Sequence, residues 1–584
     1  MLTPILLAAT VLTAQLPDTL QSASIIAEKG YTVSRTDTVA ISSEIELGEF
    51  LSSIPTLGIN DNGGGAGLKS INFRGLGSAF TNIYVDGVKV NNLQSGQADI
   101  SFLDLNQFST AKIDYAQNSL NLGSTRPQFT KGKFNTEAKI SYGSFGTTEP
   151  SVKLNFRLSD AVTLRASAAS LISKGDFKYG DGLTRTNNDI QRYNAAIDLW
   201  GRLHGGSWHA KAYASKAERG TAGAVNWPSD DRQKDLNIFI QSTLEKTFSE
   251  CYSLSLSAKA AADRIDFLST WGNSRYTQKE IQVNSSQLFT ISRSFRASIS
   301  SGLLWDDLES DIYSAGRTSL NVGAAAIYER GRFSTQLNYE YHAHFDRNYA
   351  ARNISSPALL MKYRLCDWLS ISALSRRAFR MPSFNELYYK GYGNPELKPE
   401  DAWISDIGIQ ANKCIAEDWK LDFKLNFFYN ELKDKIVSAP TQEDPNIWLP
   451  YNLATSSNRG FDANIAGSYS GESLKLRFTA AYSFQDSSIP YVNRHNLNIS
   501  TNASSKGWEA IMSWRLRAGR KDGSGPLPDW NSLDLRIARS LTFSRNSIKL
   551  YLSANNILDE RYESVRFYPM PGRSITLGII YNLK

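Results

Sequence analysis

Cysteine, histidine and long apolar runs are what this 584-residue sequence has least of. Its three cysteines, Cys251, Cys366 and Cys414, cannot pair into a disulfide framework. Each stands beside a predicted short turn, with no CxxC or Cys/His spacing that would hold a metal. They read as free or partly buried thiols. The five histidines contain no HExxH, and there is no GxSxG elbow, so hydrolases built on those motifs are excluded. Beyond the first residues no run of about 18 apolar residues occurs, which rules out helical membrane spans. A strong charge of one sign is also missing: the net charge is only +7. No basic cluster carries interleaved aromatics, so there is no sign of nucleic-acid binding. The small positive excess gives only weak support for an anionic ligand.

Aromatics and strict alternation are what the chain does have. Aromatic residues make up 11% of it, with 27 Tyr and 12 Trp, and the mean hydropathy is −0.34. A polar mean does not exclude a membrane protein, because a transmembrane barrel alternates lipid-facing and lumen-facing side chains. A soluble β-protein would have the same composition, so pattern must decide. In Phe333 to Phe345, the residues Phe333, Thr335, Leu337, Tyr339, Tyr341, Ala343 and Phe345 fall on one face. Ser334, Gln336, Asn338, Glu340, His342 and His344 fall on the other. That is period 2 without a break, apolar toward lipid and polar toward a lumen. His342 and His344 share a face and have metal-ligand potential, but lumen lining explains them as well. Similar strands are predicted at Tyr252 to Ala260, Leu421 to Phe427 and Ile548 to Ala554.

The connections alternate in length. Short turns are expected at Ser159-Asp160, Ser249-Glu250, Arg293-Ser294 and Cys366-Asp367. Long polar loops are expected at Gly175–Asn188, Glu218–Asp235, Phe267–Tyr276, Pro440–Pro450 and Gly519–Trp530. Short turns at one end and long loops at the other are the habit of outer-membrane barrels. No fixed blade length appears, which argues against a propeller. From Phe134 to Lys584, roughly 20 residues per strand with its share of loop allows about 22 antiparallel strands.

The N-terminal part reads differently. Residues 2–14, LTPILLAATVLTA, look like a secretory apolar core with cleavage after Ala14, giving a signal peptide over 1–14. A linker follows over 15–46, and a small mixed α/β unit over 47–133. That unit has a Gly-rich loop, Asn60 to Gly67, and a half-buried strand in which Ile71 and Phe73 alternate with Asn72 and Arg74. A tight turn follows at Asp86-Gly87. Gly67-Leu68-Lys69-Ser70 lacks the upstream glycine spacing of a phosphate loop, so no nucleotide site is expected. A small α/β unit ahead of a long antiparallel array is most simply explained if the array, 134–584, closes into a barrel around it.

At these residues the chain resembles the TonB-dependent outer-membrane receptors. Ile54 to Ile59, Ile71-Asn72-Phe73-Arg74-Gly75, Tyr84-Val85-Asp86-Gly87-Val88 and Asp99 to Leu105 match plug motifs of that family. Phe379 to Asp401, FRMPSFNELYYKGYGNPELKPED, matches a long barrel-loop motif. The ending, NNILDERY and YPMPGRSITLGIIYNLK, matches the last strands, and Thr576, Gly578, Tyr581 and Leu583 have the spacing of an outer-membrane assembly signal. The resemblance implies an all-β transmembrane barrel of about 22 strands with the plug inside its lumen. It also implies import of a scarce nutrient across the outer membrane of a Gram-negative cell, driven by TonB, with no enzymatic step and no cofactor.

The resemblance also assigns candidate sites. Ser24, Ile25, Ile26 and Ala27 would form the TonB box, adding a strand to TonB by main-chain pairing. Arg74 would pair with a barrel carboxylate, because an unpaired buried guanidinium is costly. Asp406 takes the place where relatives carry that acid; it either meets Arg74 or faces lumen water. The second half of the plug departs from the family pattern. Gln117 stands where relatives have arginine, and Leu120 to Phe129 replaces a glycine-rich stretch, so one plug–barrel ion pair is expected to be missing. Trp227, Trp271, Tyr388, Tyr389, Tyr392 and Trp448 lie in outer loops and offer a stacking surface for a ligand.

No histidine lies between Arg380 and Asn394, where haem receptors of the family have one. The compact length points first to cobalamin or another corrinoid. A ferric siderophore is the alternative, and a passive porin or adhesin barrel the competitor from another class. Expected partners are the TonB complex, the small-molecule ligand and outer-membrane lipid, with a surface lipoprotein as a further candidate.

Overall fold

The strand Phe333–Asp346 is dressed inside out compared with a soluble protein. Leu337 is 57% exposed and Gln336 fully buried, and Tyr339, Tyr341 and Phe345 are exposed while Asn338 and His344 are buried. Exposed apolar and buried polar residues on one strand are the mark of a wall between lipid and an occupied lumen. The same reversal marks the last strand, Ser574–Leu583, whose Ile575, Leu577, Ile579 and Tyr581 point outward.

In a computed structural model, the described residues are 36–583 apart from 42–46 and 55, 68, 91, 93, 98–99, 130–131, 348, 442, 445–446 and 454. The expected signal peptide, the candidate TonB box Ser24 to Ala27, and Asp99 of the plug motif lie outside them. The long strands form one ring of 22 in chain order, each antiparallel to the next, and a two-residue strand at Thr147–Thr148 adds to the same sheet. The ring closes where Ser574–Leu583 pairs with Phe134–Gly143, with Gly578 opposite Ser141 and Leu583 opposite Thr136. Closure leaves no long strand edge, as a bilayer requires.

The predicted short turns fall between paired strands, for example between Arg232–Ser249 and Tyr252–Leu268, and between Tyr349–Cys366 and Leu369–Arg380. Two expected loops are shorter than their polar sequences suggest. Strands run on to Leu268 and resume at Ser274, and run on to Gly220 and resume at Arg232. A strand crosses the hydrocarbon in roughly 9–11 residues. These strands of 17 and 18 residues therefore continue above the membrane, where polar side chains suit both faces.

Inside the ring sits the N-terminal unit. Its five-stranded mixed sheet runs Thr36–Ala40, Thr110–Asp114, Ser119–Gly123, Asn82–Val85 and Val88–Val90. One pair, Asn82–Val85 with Ser119–Gly123, is parallel. Leu57–Asp61 and Lys69–Phe73 form a separate hairpin, and Leu47–Ser52 is a helix. The first sheet strand arises from the stretch read as linker. After the plug motif that ends at Leu105, the chain makes a short 3-10 turn at Leu105–Gln107 followed by the strand Thr110–Asp114. Phe50, Leu51, Ile71, Phe73, Ile83, Ile113 and Leu120 make one core, and barrel residues Ala196, Tyr213 and Phe239 belong to it. Plug Leu76 and Phe80 likewise pack on barrel Ala402, Ile404 and Leu432. The lumen is thus a packed interface.

Candidate functional site

The plug strand Lys69–Phe73 ends in a turn that throws Arg74 at the barrel wall. Arg74 and Gly75 both have positive φ, 47° and 66°, and the Arg74 amide donates to the Thr56 carbonyl at 3.0 Å. Arg74 is 1% exposed. Its Nη1 lies 2.5 Å from Asp406 Oδ2 and its Nε 2.8 Å from Asp462 Oδ2. Asp462 was not singled out in the sequence. It accepts a further hydrogen bond from Ser483 at 2.7 Å. The rings of Tyr115 and Phe428 each have their centroid 4.9 Å from the guanidinium carbon, one from plug and one from wall. Asn458 donates to the Arg74 carbonyl. Burial alone would pull the guanidinium pKa down, but Asp462 and Asp406 outweigh it and hold the pKa above its ordinary value.

Gly75 explains why the motif continues with glycine. A Cβ there would stand 2.6 Å from Asn458 Nδ2 and 2.8 Å from Gln485 Oε1. Positive φ adds about 1–2 kcal/mol for a residue with a side chain. Gly75→Ala is expected to lower the plug's unfolding midpoint in denaturant while the barrel transition stays put; a wild-type plug transition would show that the close approach is unimportant.

Three further ties run the other way, from plug acid to barrel base. Asp86 lies 2.8 Å from Lys211 Nζ, which is also 3.4 Å from Asp198 and donates to Ser124 at 2.7 Å. Glu49, in the first turn of its helix, takes both 2.9 Å bonds from Arg536 Nη2. Burial pushes the Glu49 carboxyl up in spite of the pull of Arg536. Asp37 meets Lys424. Gln117 makes no tie to the wall among the described residues; its backbone N–H donates to the Asp114 carboxylate at 3.1 Å and its backbone carbonyl accepts from Asn82 at 3.2 Å, which closes the turn under Tyr115. Asp86, Asp198 and His209 bring three ligand-type atoms within 4.8 Å of one another, but Lys211 already places an ammonium between the carboxylates.

The candidate ligand residues separate into groups. Trp227 and Trp271 are the most exposed, at 74% and 89%. Tyr392 bonds Ser438 at 2.5 Å, on the outer hairpin Lys435–Pro440 and Trp448–Leu453 that also carries Trp448. Tyr388 and Tyr389 are half-buried and pack around Tyr313, with ring centroids at 6.3 and 6.4 Å. Tyr313 and Tyr276 complete this cluster and were missed in the sequence, where they stand far from the loop motif. The cluster is held by the helix Phe384–Tyr388, which has a complete capping box from Ser383 and Glu386. The Asn385 amide donates to the plug carbonyl of Gln94 at 3.0 Å, so an outer loop and the plug apex touch. A cavity of about 300 Å³ opens there, lined by Asn92, Gln94, Phe239, Lys259, Tyr276 and Tyr389.

On another sector, loops 519–529 and 556–573 are latched together. Arg566 lies 2.6 and 3.0 Å from the Asp522 oxygens and holds that carboxyl down at about 2. A depressed carboxyl contributes its stabilisation above the ordinary value of 3.8 and loses it as pH falls through about 2, so the latch is charged at any physiological pH.

Comparison with known proteins follows the same outline. The family model described as TonB dependent receptor-like, beta-barrel matches residues 170–557, and that of the TonB-dependent receptor plug domain matches residues 29–128. Over 570 residues the chain is 21% identical to the vitamin B12 transporter BtuB of Vibrio vulnificus (strain YJ016), covering 90% of this chain and 88% of that one. The FrpB iron transporter of Neisseria meningitidis (F3-3 variant) superposes with a TM-score of 0.77 at 13% identity, covering 94% of this chain and 99% of that one. The copper transporter OprC gives 0.76 at 14% identity, covering 94% and 98%. At such identities the two solved structures speak for the fold alone. With a plug model and a barrel model both matched, and a closed barrel around a packed plug, the chain belongs to the TonB-dependent receptors of the outer membrane, a family of receptors and transporters and not of enzymes.

Proposed function

We propose that the cargo is cobalamin or a related corrinoid. The observation that carries this reading is the relationship to a vitamin B12 transporter along 90% of the chain, plug and barrel together. A ferric siderophore is the second reading; among the structures of similar fold are siderophore receptors such as PirA of Acinetobacter baumannii. Cargo would rest on the Tyr276, Tyr313, Tyr388 and Tyr389 cluster and on the plug apex at Asn92 and Gln94. Because Asn385 already bonds Gln94, cargo that moves the loop helix also moves the plug. For that to signal across the membrane, cargo must bind one plug state more tightly than the other. A passive porin or adhesin has no use for an interior plugged in this way.

Equilibrium binding to the purified protein tests the reading. Cyanocobalamin is expected to bind at least about 100-fold more tightly than ferric enterobactin, a difference of about 2.7 kcal/mol. Tyr389→Ala is expected to weaken cyanocobalamin about tenfold. The opposite preference, for the ferric chelate, would replace the corrinoid reading by the siderophore one.

A further inference from the structure

Beside the plug strand Leu57–Asp61, plug and wall leave a second cavity of about 300 Å³, under the latched loops. Four buried N–H groups on its lining residues have no hydrogen-bond acceptor among the described residues: Nε of Arg192, Arg515 and Arg520, and Nε1 of Trp530. These side chains are fixed at their other atoms. Arg520, 5% exposed, gives Nη1 to the Ser564 carbonyl at 2.6 Å and Nη2 to that of Glu563. Arg515 holds Asp534 and Ser532, and Arg192 holds the Ser101 carbonyl. Trp530 stacks on Tyr562 with centroids 4.1 Å apart. Rotation away to find acceptors is therefore blocked.

A buried donor left without an acceptor costs about 1–3 kcal/mol. Four donors, three of them guanidinium, outnumber the unpartnered acceptors of the same lining, Asp104 Oδ2, Asn194 Oδ1 and Asn493 Oδ1, of which two are neutral; the balance calls for a group that is rich in acceptors and negatively charged. Most carboxylates lining the same space are already matched with cations: Asp61 with Lys69 at 3.1 Å, Glu149 with Lys139 at 3.4 Å, Glu49 with Arg536, and Asp534 with Arg515. Arg520 and Arg192, by contrast, meet neutral carbonyls. The volume is many times the roughly 30 Å³ share of one water in the liquid, so an oxyanion fits with part of its carrier.

We propose that this cavity is an oxyanion subsite, shaped for a phosphate group. Carried on the cargo, the group would be a phosphodiester; supplied free, it would be inorganic phosphate. The first source rests on the corrinoid reading, since cobalamin bears one phosphodiester and cobinamide, the corrin without its nucleotide, bears none. The site itself does not rest on that reading. Charge-assisted bonds from guanidinium to phosphate are strong and directional.

The test uses the full-length purified protein, with Arg520→Gln and the milder Trp530→Phe, which keeps the stack and removes the N–H. Cyanocobalamin, cobinamide and inorganic phosphate are titrated into each. Both variants are expected to weaken cyanocobalamin about tenfold and to leave cobinamide unchanged. Equal loss for both corrinoids would overturn the cargo-borne phosphodiester. If neither corrinoid binds the wild type, the corrinoid reading fails and phosphate decides alone. Phosphate binding that both variants weaken about tenfold would uphold the subsite with free phosphate as its occupant. Wild-type protein that binds no phosphate and distinguishes no corrinoid would overturn the subsite.

Discussion

Replacing Arg74 by alanine is expected to release the plug from the wall and make the barrel leak. The substitution strands Asp406 and Asp462, both buried, without the guanidinium they share. Removing one partner of a buried ion pair costs about 3–5 kcal/mol, because the remaining charge has neither water nor a counter-ion. Here two carboxylates remain, and their mutual repulsion adds to the cost. Tyr115 and Phe428 also lose the cation between their rings. Lysine is a poor substitute, since one ammonium cannot place two separate N–H bonds in the geometry Nε and Nη1 now hold. Asp406→Asn is expected to be milder, because Asp462 still balances the charge. The sharper check is the triple change Arg74→Met, Asp406→Asn, Asp462→Asn. It removes all three charges of this triad and should recover most of the lost stability. Two measurements decide: single-channel conductance of the reconstituted protein, and plug unfolding in denaturant. Arg74→Ala protein that stays electrically sealed and unfolds like the wild type would move the lock to Asp86–Lys211 and Glu49–Arg536.

Why Arg74 was readable and Asp462 was not is a matter of geometry. The plug motif marks an arginine at a strand end, and the family resemblance marks Asp406 as the acid in its place, but nothing in either stretch counts how many acids one guanidinium can bind. Asp462 lies in Ser456–Ser470, where Asn458 and Asp462 share a face with a four-residue spacing. Both reach the Arg74 turn, one at its guanidinium and one at its carbonyl. That shared polar face was the available signal. The barrel was legible for a simpler reason. Lipid on one side and a packed plug on the other impose period 2 on every strand, so Phe333–Asp346 announces itself locally. The ties of Glu49 to Arg536 and Asp86 to Lys211 join residues hundreds or scores of positions apart, and only barrel closure sets which strand faces which part of the plug. Tyr276 and Tyr313 escaped as partners of Tyr388 for the same reason: a strand end, a turn and a short helix meet in space that are separate in sequence. Gln117 was read as a lost ion pair, and its replacement is a local turn, a substitution that motif comparison cannot anticipate.

Deleting Ser24 to Ala27 is expected to abolish uptake, by about 100-fold or more, while leaving cargo binding as it was. The argument runs through the first strand of the plug. Among the described residues, Thr36–Ala40 is the edge strand of the plug sheet and pairs with Thr110–Asp114 alone, over five residue pairs. A pull on the chain ahead of it therefore loads this one ladder first. Asp37 within it accepts from the Tyr115 hydroxyl at 2.9 Å and meets Lys424 of the wall. Tyr115 is the plug ring lying against the Arg74 guanidinium. Stripping the edge strand thus removes one plug–wall ion pair outright and frees the ring that backs the principal lock. Main-chain pairing of Ser24 to Ala27 with TonB would supply the grip, and its affinity need only exceed that of a short edge ladder. On the proposed reading cargo binds by the Tyr389 cavity, at the plug apex, so a deletion near the N-terminus would leave it untouched. Asp37→Asn works in the opposite direction: it keeps the ladder, loses the Lys424 pair, and is expected to let the plug yield more readily, with uptake retained. Radiolabelled cargo accumulation in whole cells, set beside equilibrium binding on the same cells, separates the two steps. Wild-type accumulation by the deletion protein would mean that force enters the plug somewhere other than Thr36–Ala40.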